Sequence, residues 1–258
     1  MKKQRALVIA VIAALAVFTV YNLPFIYMPL YTHTLNVKSG VTIVVVSDLH
    51  LEYNPKNLTI IGKLLQNLNA SLLIINGDLF DEKKHEALSQ QMLEHAFKRL
   101  GLDQLHNQEL KVVYILALCN HDPYIASQTA FFEIHGIPVA VIKGALKLIT
   151  PQNTLLLMHG DYIIGGGYLA GALNMITHSL AFEGLGKIVL HLADDSWLIL
   201  GHSHVAGIDH CNRLANTGAW LDRIIAGSNT ALVISVSDGG VDLKLLSFKN
   251  SCWQTFSQ

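Results

Sequence analysis

The stretch that decides the fold is Val41–His50, which reads VTIVVVSDLH. Its first six residues, Val41–Val46, are all β-branched, and they predict a strand that is buried on both faces. Such strands are typical of parallel sheets covered by helices. The strand ends at Ser47-Asp48, and His50 follows, so a carboxylate and an imidazole stand where open α/β sheets place their functional sites.

The rest of the chain alternates apolar strands with helical segments, which is the signature of an α/β fold. Helices are predicted over Asn57–Leu68, Glu82–Leu100 and Ile125–His135. Further strands are predicted over Ser71–Ile75, Val112–Leu118, Leu146–Ile149, Leu155–Met158, Trp197–Leu200, Leu232–Val236 and Val241–Leu246. We find no linker or internal repeat between these elements, so one domain over residues 40–250 accommodates them.

The composition narrows the classes of function. A chain of 258 residues suits one large α/β domain with an appendage. Lys and Arg number 18 against 19 Asp and Glu, so no basic excess exists to neutralise phosphates, and nucleic acid is not expected as a partner. The three cysteines are widely spaced without a Cys-x-x-Cys pair, which argues against a disulfide framework and a zinc–thiolate site.

The N-terminus predicts a membrane anchor over residues 1–31. Three cationic residues within Met1–Arg5 precede Ala6–Tyr31, which contains no charged side chain, and about 20 apolar residues suffice to cross a bilayer. This charge distribution predicts a single-pass membrane protein with its N-terminus inside and its domain on the outer face. A cleaved signal peptide is the alternative, although its small-residue site, Ala14-Leu15-Ala16, falls within the apolar run.

Polar motifs recur where the predicted strands end. They are Asp48-Leu49-His50, Asn76-Gly77-Asp78 with Asp81, Cys119-Asn120-His121-Asp122, His159-Gly160-Asp161 and Gly201-His202-Ser203-His204. Their carboxylates, imidazoles and amide suit a hard-to-borderline divalent metal. Each motif alone is weak, but the ordered set has a chance probability on the order of 10⁻⁴ or below.

This ordered set resembles the calcineurin-like metallophosphoesterase family over about Val41–Trp220. The resemblance implies an α/β fold of the four-layer αββα type, to which the anchor would add a transmembrane helix. It implies one metal held by Asp48, His50, Asp78 and His204, and a second held by Asp78, Asn120, His159 and His202. His121 would be the catalytic acid or phosphate-oxygen donor and Asp122 its orienting carboxylate, while Asp81 is interpreted as a helix cap or a supporting group.

The implied cofactor is a pair of divalent ions, with manganese favoured over iron, zinc or nickel. Two cations about 3.5–4 Å apart clamp a phosphoryl group and acidify a bridging water into hydroxide. The predicted activity is therefore hydrolysis of a phosphate monoester, diester or pyrophosphate bond, in a small phosphoester or a lipid-linked phosphate.

Two alternatives stay open. A lipid-linked pyrophosphatase, similar to the branch that hydrolyses UDP-diacylglucosamine, shares the His-Gly-Asp motif at His159 but usually carries Arg where this chain has His121. A membrane-tethered metal-binding scaffold is the alternative from another class, and the complete ligand set disfavours it. The family also usually has Gly at the position of Cys119.

The segment Tyr162–Phe182 contains no charged residue. Within it, Leu169, Leu173, Ile176 and Leu180 align on one helical face. A second membrane span is excluded, because His159 and His202 flank the segment and must reach the same site. The segment is therefore either a buried helix of the sandwich or an apolar cap that touches the bilayer or a lipid tail.

Overall fold

Two mixed β-sheets stacked face to face form the centre of the molecule. The structure is a computed structural model that describes residues 22–81, 83, 85–105, 109–118, 121–221 and 228–256. The strands are β1 (Thr32–Asn36), β2 (Thr42–Val46), β3 (Leu72–Asn76), β4 (Lys111–Leu116), β5 (Thr129–Ile134), β6 (Ile137–Lys143), β7 (Ala145–Ile149), β8 (Thr154–Leu157), β9 (Trp197–Leu200), β10 (Gly207–Asp209), β11 (Leu214–Asn216), β12 (Thr230–Ser237), β13 (Gly240–Lys249) and β14 (Cys252–Thr255). The α-helices are α1 (Thr59–Asn67), α2 (Gln90–Leu100), α3 (Gly167–Thr177) and α4 (Ala181–Val189), and short 3-10 helices cover Pro24–Ile26 and Leu102–Gln104.

Three apolar cores separate four layers. One sheet has eight strands in the order β14-β13-β12-β2-β3-β4-β6-β5, and the other has six in the order β1-β7-β8-β9-β11-β10. The first core joins α1 and α2 to the larger sheet, the second lies between the sheets, and the third joins α3 and α4 to the smaller sheet. Val44 belongs to the first core and Val45 to the second, because successive strand residues face opposite sides. This double burial explains the unbroken β-branched run, and it gives the expected α/β class with mixed sheets.

Parallel strands bring their carboxyl ends to one edge of each sheet. Strands β2, β3 and β4 are mutually parallel in the larger sheet, and β8 and β9 are parallel in the smaller one. The motifs that begin at Asp48, Asp78, His159 and His202 follow four of these strands directly. The topology therefore collects segments that are far apart in the chain at one place.

The helix predicted over Ile125–His135 is wrong, because this segment contains the edge strand β5. Thr129–Ile134 pairs antiparallel with β6, and Ile134 lies opposite Ile137. His135 and Gly136 between them have φ values of 53° and 78°, the combination that a two-residue hairpin turn requires. The Gly at the second turn position and the β-branched and aromatic residues before it outweigh the apparent helical spacing.

The helix predicted to begin at Glu82 begins only at Gln90. Ser89 has an extended backbone, and its side chain accepts a hydrogen bond from the backbone N–H of Met92 at 3.3 Å. A serine in this position satisfies one of the donors that the first helical turn leaves unpaired. The described residues between β3 and Ser89 are not helical.

The described residues contain no helix whose length and apolar character would suffice to span a bilayer. Most of the predicted anchor, residues 1–21, lies outside the described part of the chain. The remainder, residues 22–31, belongs to the folded body, because Leu23, Phe25, Met28 and Leu30 pack against the third core.

The close approach of α1 to the end of α2 gives a test of this packing. An alanine Cβ at Gly62 would lie 2.5 Å from the carbonyl oxygen of Gly101, so Gly62→Ala must push the two helices apart. We expect it to lower the free energy of unfolding by about 1–3 kcal/mol. The matched control is Gly184→Ala in α4, where the nearest atom would be 3.9 Å away and where alanine should stabilise the helix by up to about 1 kcal/mol. Denaturant unfolding followed by circular dichroism measures both; equal effects would contradict the packing.

Candidate metal centre

Six of the seven predicted metal ligands lie together at the carboxyl ends of the strands. They are Asp48, His50, Asp78, His159, His202 and His204. Five of the six side chains are buried, and that of His204 is 15% exposed. The seventh, Asn120, lies outside the residues that the structure describes.

These side chains form two groups joined by one carboxylate. The ligand atoms of Asp48, His50 and His204 lie within 4.8 Å of one another, and so do those of Asp78, His159 and His202. Oδ2 of Asp78 is 3.2 Å from Nε2 of His159 and 3.9 Å from Nε2 of His50. Asp78 therefore stands between the two groups, in the position that a bridging ligand requires.

The donor set fits metal ions. Within the described part of the chain, neither Nε2 of His50 nor Oδ1 of Asp78 has a hydrogen-bond partner, although both atoms are buried. Buried polar atoms are nearly always paired, so these two point to a missing ligand. Oxygen and imidazole nitrogen together suit borderline divalent ions.

Electrostatics keeps both carboxylates ionised. Burial would raise the pKa of Asp48, but the imidazoles of His159 and His204 outweigh it and hold this pKa at about 2. Burial likewise opposes ionisation of Asp78, and His159 and His50 lower its pKa nonetheless. Burial and the neighbouring His159 lower the pKa of His202 to about 3. Ionised carboxylates and the neutral imidazole of His202 are in the protonation states that bind a cation. Despite burial, Asp78 raises the pKa of His159, and Asp81 and Asp78 raise the pKa of His50, so a bound metal would displace the proton from each of these two rings.

Hydrogen bonds behind the imidazoles orient them. Nδ1 of His50 is 2.9 Å from Oδ1 of Asp81, and Nδ1 of His159 is 3.0 Å from the backbone oxygen of Asn76. With Nδ1 donating in each ring, Nε2 is left as the nitrogen that faces the cluster. Such outer contacts fix the ring and its tautomer in metal sites, and they make Asp81 a supporting group.

The backbone of the site is strained. Asp48, His50, Asp78, His202 and His204 have φ values of 53°, 48°, 49°, 67° and 61°. Residues other than glycine seldom adopt this left-handed conformation, and when they do they cluster at functional sites. The surrounding contacts therefore hold these five residues where their side chains converge.

His121 lies at the open side of the cluster. Its ring is within 4.8 Å of the ligand atoms of His50 and Asp78, and its Nδ1 is 4.0 Å from Oδ1 of Asp81. The side chain is 33% exposed, whereas the other members are buried or nearly so. A group bound from solvent would meet His121 beside the two clusters.

Asp122 has a different place from the one expected. Its carboxylate accepts hydrogen bonds from the backbone N–H groups of Asp78, Leu79, Phe80 and Ala117 at 2.9–3.2 Å. No hydrogen bond joins it to the His121 ring among the described residues. Asp122 therefore holds the loop that carries Asp78 instead of orienting His121, and burial with the nearby Asp78 raises its pKa to about 7.

Sequence reasoning missed a buried polar network behind the His202–His204 loop. The carboxylate of Glu183 accepts hydrogen bonds from the amides of Asn174 at 2.8 Å and Asn216 at 2.6 Å. Asn216 also donates to the carbonyl of Gly201 at 2.7 Å and to Ser203 Oγ at 3.0 Å. The network ties α3 and α4 to the loop. The available signal was Glu183 itself, the first charge after 21 uncharged positions.

Two stacked mixed sheets with carboxylate and imidazole clusters at their strand ends define an α/β metal-binding protein of the phosphoesterase type. The sequence profile described as calcineurin-like phosphoesterase matches residues 41–234, and the chain belongs to this family.

Comparison with curated proteins gives no match, but solved structures do match. Vps29 complexed with Zn²⁺ from Entamoeba histolytica is 14% identical with a TM-score of 0.43, over 84% of this chain and 97% of that one. Yfce, a phosphoesterase from E. coli, is 13% identical with a TM-score of 0.44, over 84% and 98%. An archaeal phosphodiesterase is 13% identical with a TM-score of 0.39, over 80% and 100%.

The contact of Gly77 with His159 tests the assembly of the centre. A Cβ at Gly77 would lie 2.4 Å from the His159 ring, and the φ of Gly77 is +81°. We expect Gly77→Ala to displace His159, so that metal content measured by mass spectrometry falls by about one ion per chain. The control is Gly136→Ala, which has a φ of +78° but open space around it and should keep the wild-type metal content. Equal metal content in both variants would contradict the proposed role of His159.

Proposed function

We propose that this protein is a membrane-anchored, dimetal hydrolase of phosphate mono- or diester or pyrophosphate bonds. The observation that carries the proposal is the carboxylate of Asp78, which lies between two groups of imidazole and carboxylate ligands. Phosphoryl transfer requires charge neutralisation on both sides of the phosphorus, and paired metal sites are a common means of achieving it.

The residues near Asp78 divide into two ligand sets. Asp48, His50 and His204 would hold one ion, His159 and His202 would hold the other, and Asp78 would be shared; Asn120 completes the second set in this proposal. Two divalent cations held in this way supply positive charge for the phosphate oxygens and lower the pKa of water towards neutrality. We propose manganese, with iron, zinc or nickel as alternatives.

The chain itself provides the proton donor. His121 is the most exposed imidazole of the site, and its ring stands at 5.2 Å, edge to face, from that of His50. From there it would donate a proton or a hydrogen bond to the leaving oxygen, as general acids do. Asp122 would affect the reaction only indirectly, because it holds the loop that carries Asp78.

The substrate proposed is a small phosphoester or a lipid-linked phosphate, hydrolysed on the outer face of a membrane that the chain would cross once through its N-terminal anchor. A lipid-linked pyrophosphatase is the more specific candidate, because the uncharged helix α3 adjoins the site. A Cβ at Gly167, the first residue of α3, would be 2.8 Å from the carbonyl of His202. A membrane-tethered scaffold would not need the accessible His121.

The proposal is tested with the full chain purified in detergent and loaded with each candidate metal. Hydrolysis of chromogenic mono- and diesters and of lipid-linked pyrophosphates is then measured. We expect turnover on at least one class, with about two ions per chain. Two bound ions without turnover on any of these substrates would favour the scaffold and overturn the enzymatic proposal.

The shared carboxylate predicts the effect of Asp78→Asn. An amide nitrogen cannot bind a cation, so only one side of the bridge remains. We expect metal content below two ions per chain and loss of nearly all turnover. The control Asp242→Asn changes an exposed carboxylate that pairs with Lys244 and should leave both quantities unchanged. Wild-type activity and metal content in Asp78→Asn would rule out a bridged centre.

The exposed imidazole predicts a different result for His121→Ala. Loss of a general acid should lower kcat by about 10²–10⁴-fold while both ions stay bound. His95→Ala, on the exposed side of α2, serves as the control and should have wild-type kcat. If His121→Ala instead lost metal, His121 would be a ligand and the assignment of its role would be wrong.

A further inference from the structure

Helix α3 presents an apolar face to solvent. Tyr168, Leu169, Met175 and Ile176 are exposed, and Ile176 is 79% exposed. At 100° per residue these four side chains fall within about 120° of the helix surface. The opposite side, with Ala170, Gly171 and Asn174, is buried. We call the four exposed residues the α3 apolar face.

No charged side chain interrupts this face. Surface helices of water-soluble domains carry polar residues on their outer side, whereas the whole of α3 is uncharged. Exposed apolar patches mark contact with another protein, a ligand or a membrane. The face therefore needs an occupant, and the chain that packs beside α3 indicates which one.

Residues 22–31 lie next to α3. The N–H of Gly165 donates to the carbonyl of Asn22 at 3.0 Å, and the N–H of Phe25 donates to the carbonyl of Tyr162 at 2.9 Å. Residues 22–25 thus adjoin residues 162–165, and both segments belong to stretches of sequence without a charged side chain. Ile26 and Tyr27 add further exposed apolar surface, at 58% and 54%.

The position of Asn22 limits where a bilayer can lie. Each residue of chain reaches at most about 3.6 Å, and the uncharged N-terminal segment proposed to enter the bilayer joins the described part of the chain at Asn22. The polar surface of the bilayer must then be within a few ångströms of Asn22, and so of Gly165 and the start of α3. No comparable constraint favours contact of the α3 apolar face with a second copy of the chain or with a soluble partner.

We propose that the α3 apolar face, with Ile26 and Tyr27, lies in the interfacial region of the bilayer that anchors the chain. This inference rests on the anchor in the proposed function. Interfacial helices sink about 5–10 Å into the boundary between headgroups and acyl chains. Because the face carries no charge, it takes zwitterionic as well as anionic lipids, and its binding does not depend on salt.

The orientation brings the metal centre to the membrane surface. Nε2 of His202 is 2.7 Å from the carbonyl of Ile164, three residues before α3 begins. This contact joins the metal centre to the segment that leads into α3, so the proposal places the centre close to a phosphate that is linked to a lipid. This deepens the proposed function by assigning its substrate to the lipid-linked class.

The experiment adds one tryptophan per variant, at positions on opposite edges of the domain. The full chain is reconstituted into phosphatidylcholine vesicles with and without phosphatidylcholine that carries a shallow doxyl quencher. Ile176→Trp reports on the α3 apolar face. The control is Ile149→Trp, because Ile149 pairs with Thr154 at the start of β8, whereas His159 and the metal centre follow its end. The signal of the unsubstituted chain is subtracted, and Leu169→Trp repeats the test at a second position.

We expect the tryptophans at 176 and 169 to be quenched several-fold more than that at 149, with no change in 1 M NaCl. Equal quenching at all three positions would overturn the proposal. Protection of position 176 from aqueous acrylamide without quenching by the lipid would identify a protein occupant, and would also overturn it. Hydrolysis of a soluble ester in the same vesicles tests the enzymatic proposal separately, because its absence leaves the quenching result unaffected.

Discussion

The structure depends on the burial of two ionised carboxylates, Asp48 and Asp78, at the edge where two sheets end. A buried charge is severely destabilising unless other groups compensate it. Here the compensation comes from imidazoles at 3.1–3.2 Å and from the cations that these groups together can hold. The orientation of the rings by Asp81 and Asn76 follows from this need. So does the support of the Asp78 loop, in which the backbone N–H groups of Asp78, Leu79 and Phe80 donate hydrogen bonds to the carboxylate of Asp122.

Bringing the charged loops so close leaves little room for side chains between them. A Cβ at Gly201 would lie 2.7 Å from a carboxylate oxygen of Asp48, just as one at Gly77 would overlap His159. Five of the proposed ligand residues themselves have left-handed backbone conformations. Strain of this kind is destabilising by about 1–3 kcal/mol at each position, so the cores on either side of the sheets must stabilise the fold enough to maintain it.

The sequence predicted most of the strands and the residues that converge at the site, because residues close together in the chain determine both. The run Val41–Val46 specifies a doubly buried strand, and short motifs after strands predict where side chains collect. What depends on distant partners was not predictable. Asp122 contacts the backbone of a loop 44 positions away, and Glu183 is held by Asn174 and Asn216. The error at Ile125–His135 was local, and the turn at His135-Gly136 would have corrected it.

The proposed ligands extend from position 48 to position 204, and strands from both sheets are needed to bring them together. A centre assembled from such distant segments cannot exist in a partly synthesised chain, and parallel pairing of this kind is slow to form. The metal can therefore bind only where and when folding is completed, because a preformed site is absent from the unfolded chain. Which ion fills the centre is then decided by the supply in the compartment where the domain finishes folding, as much as by the affinity of its ligands.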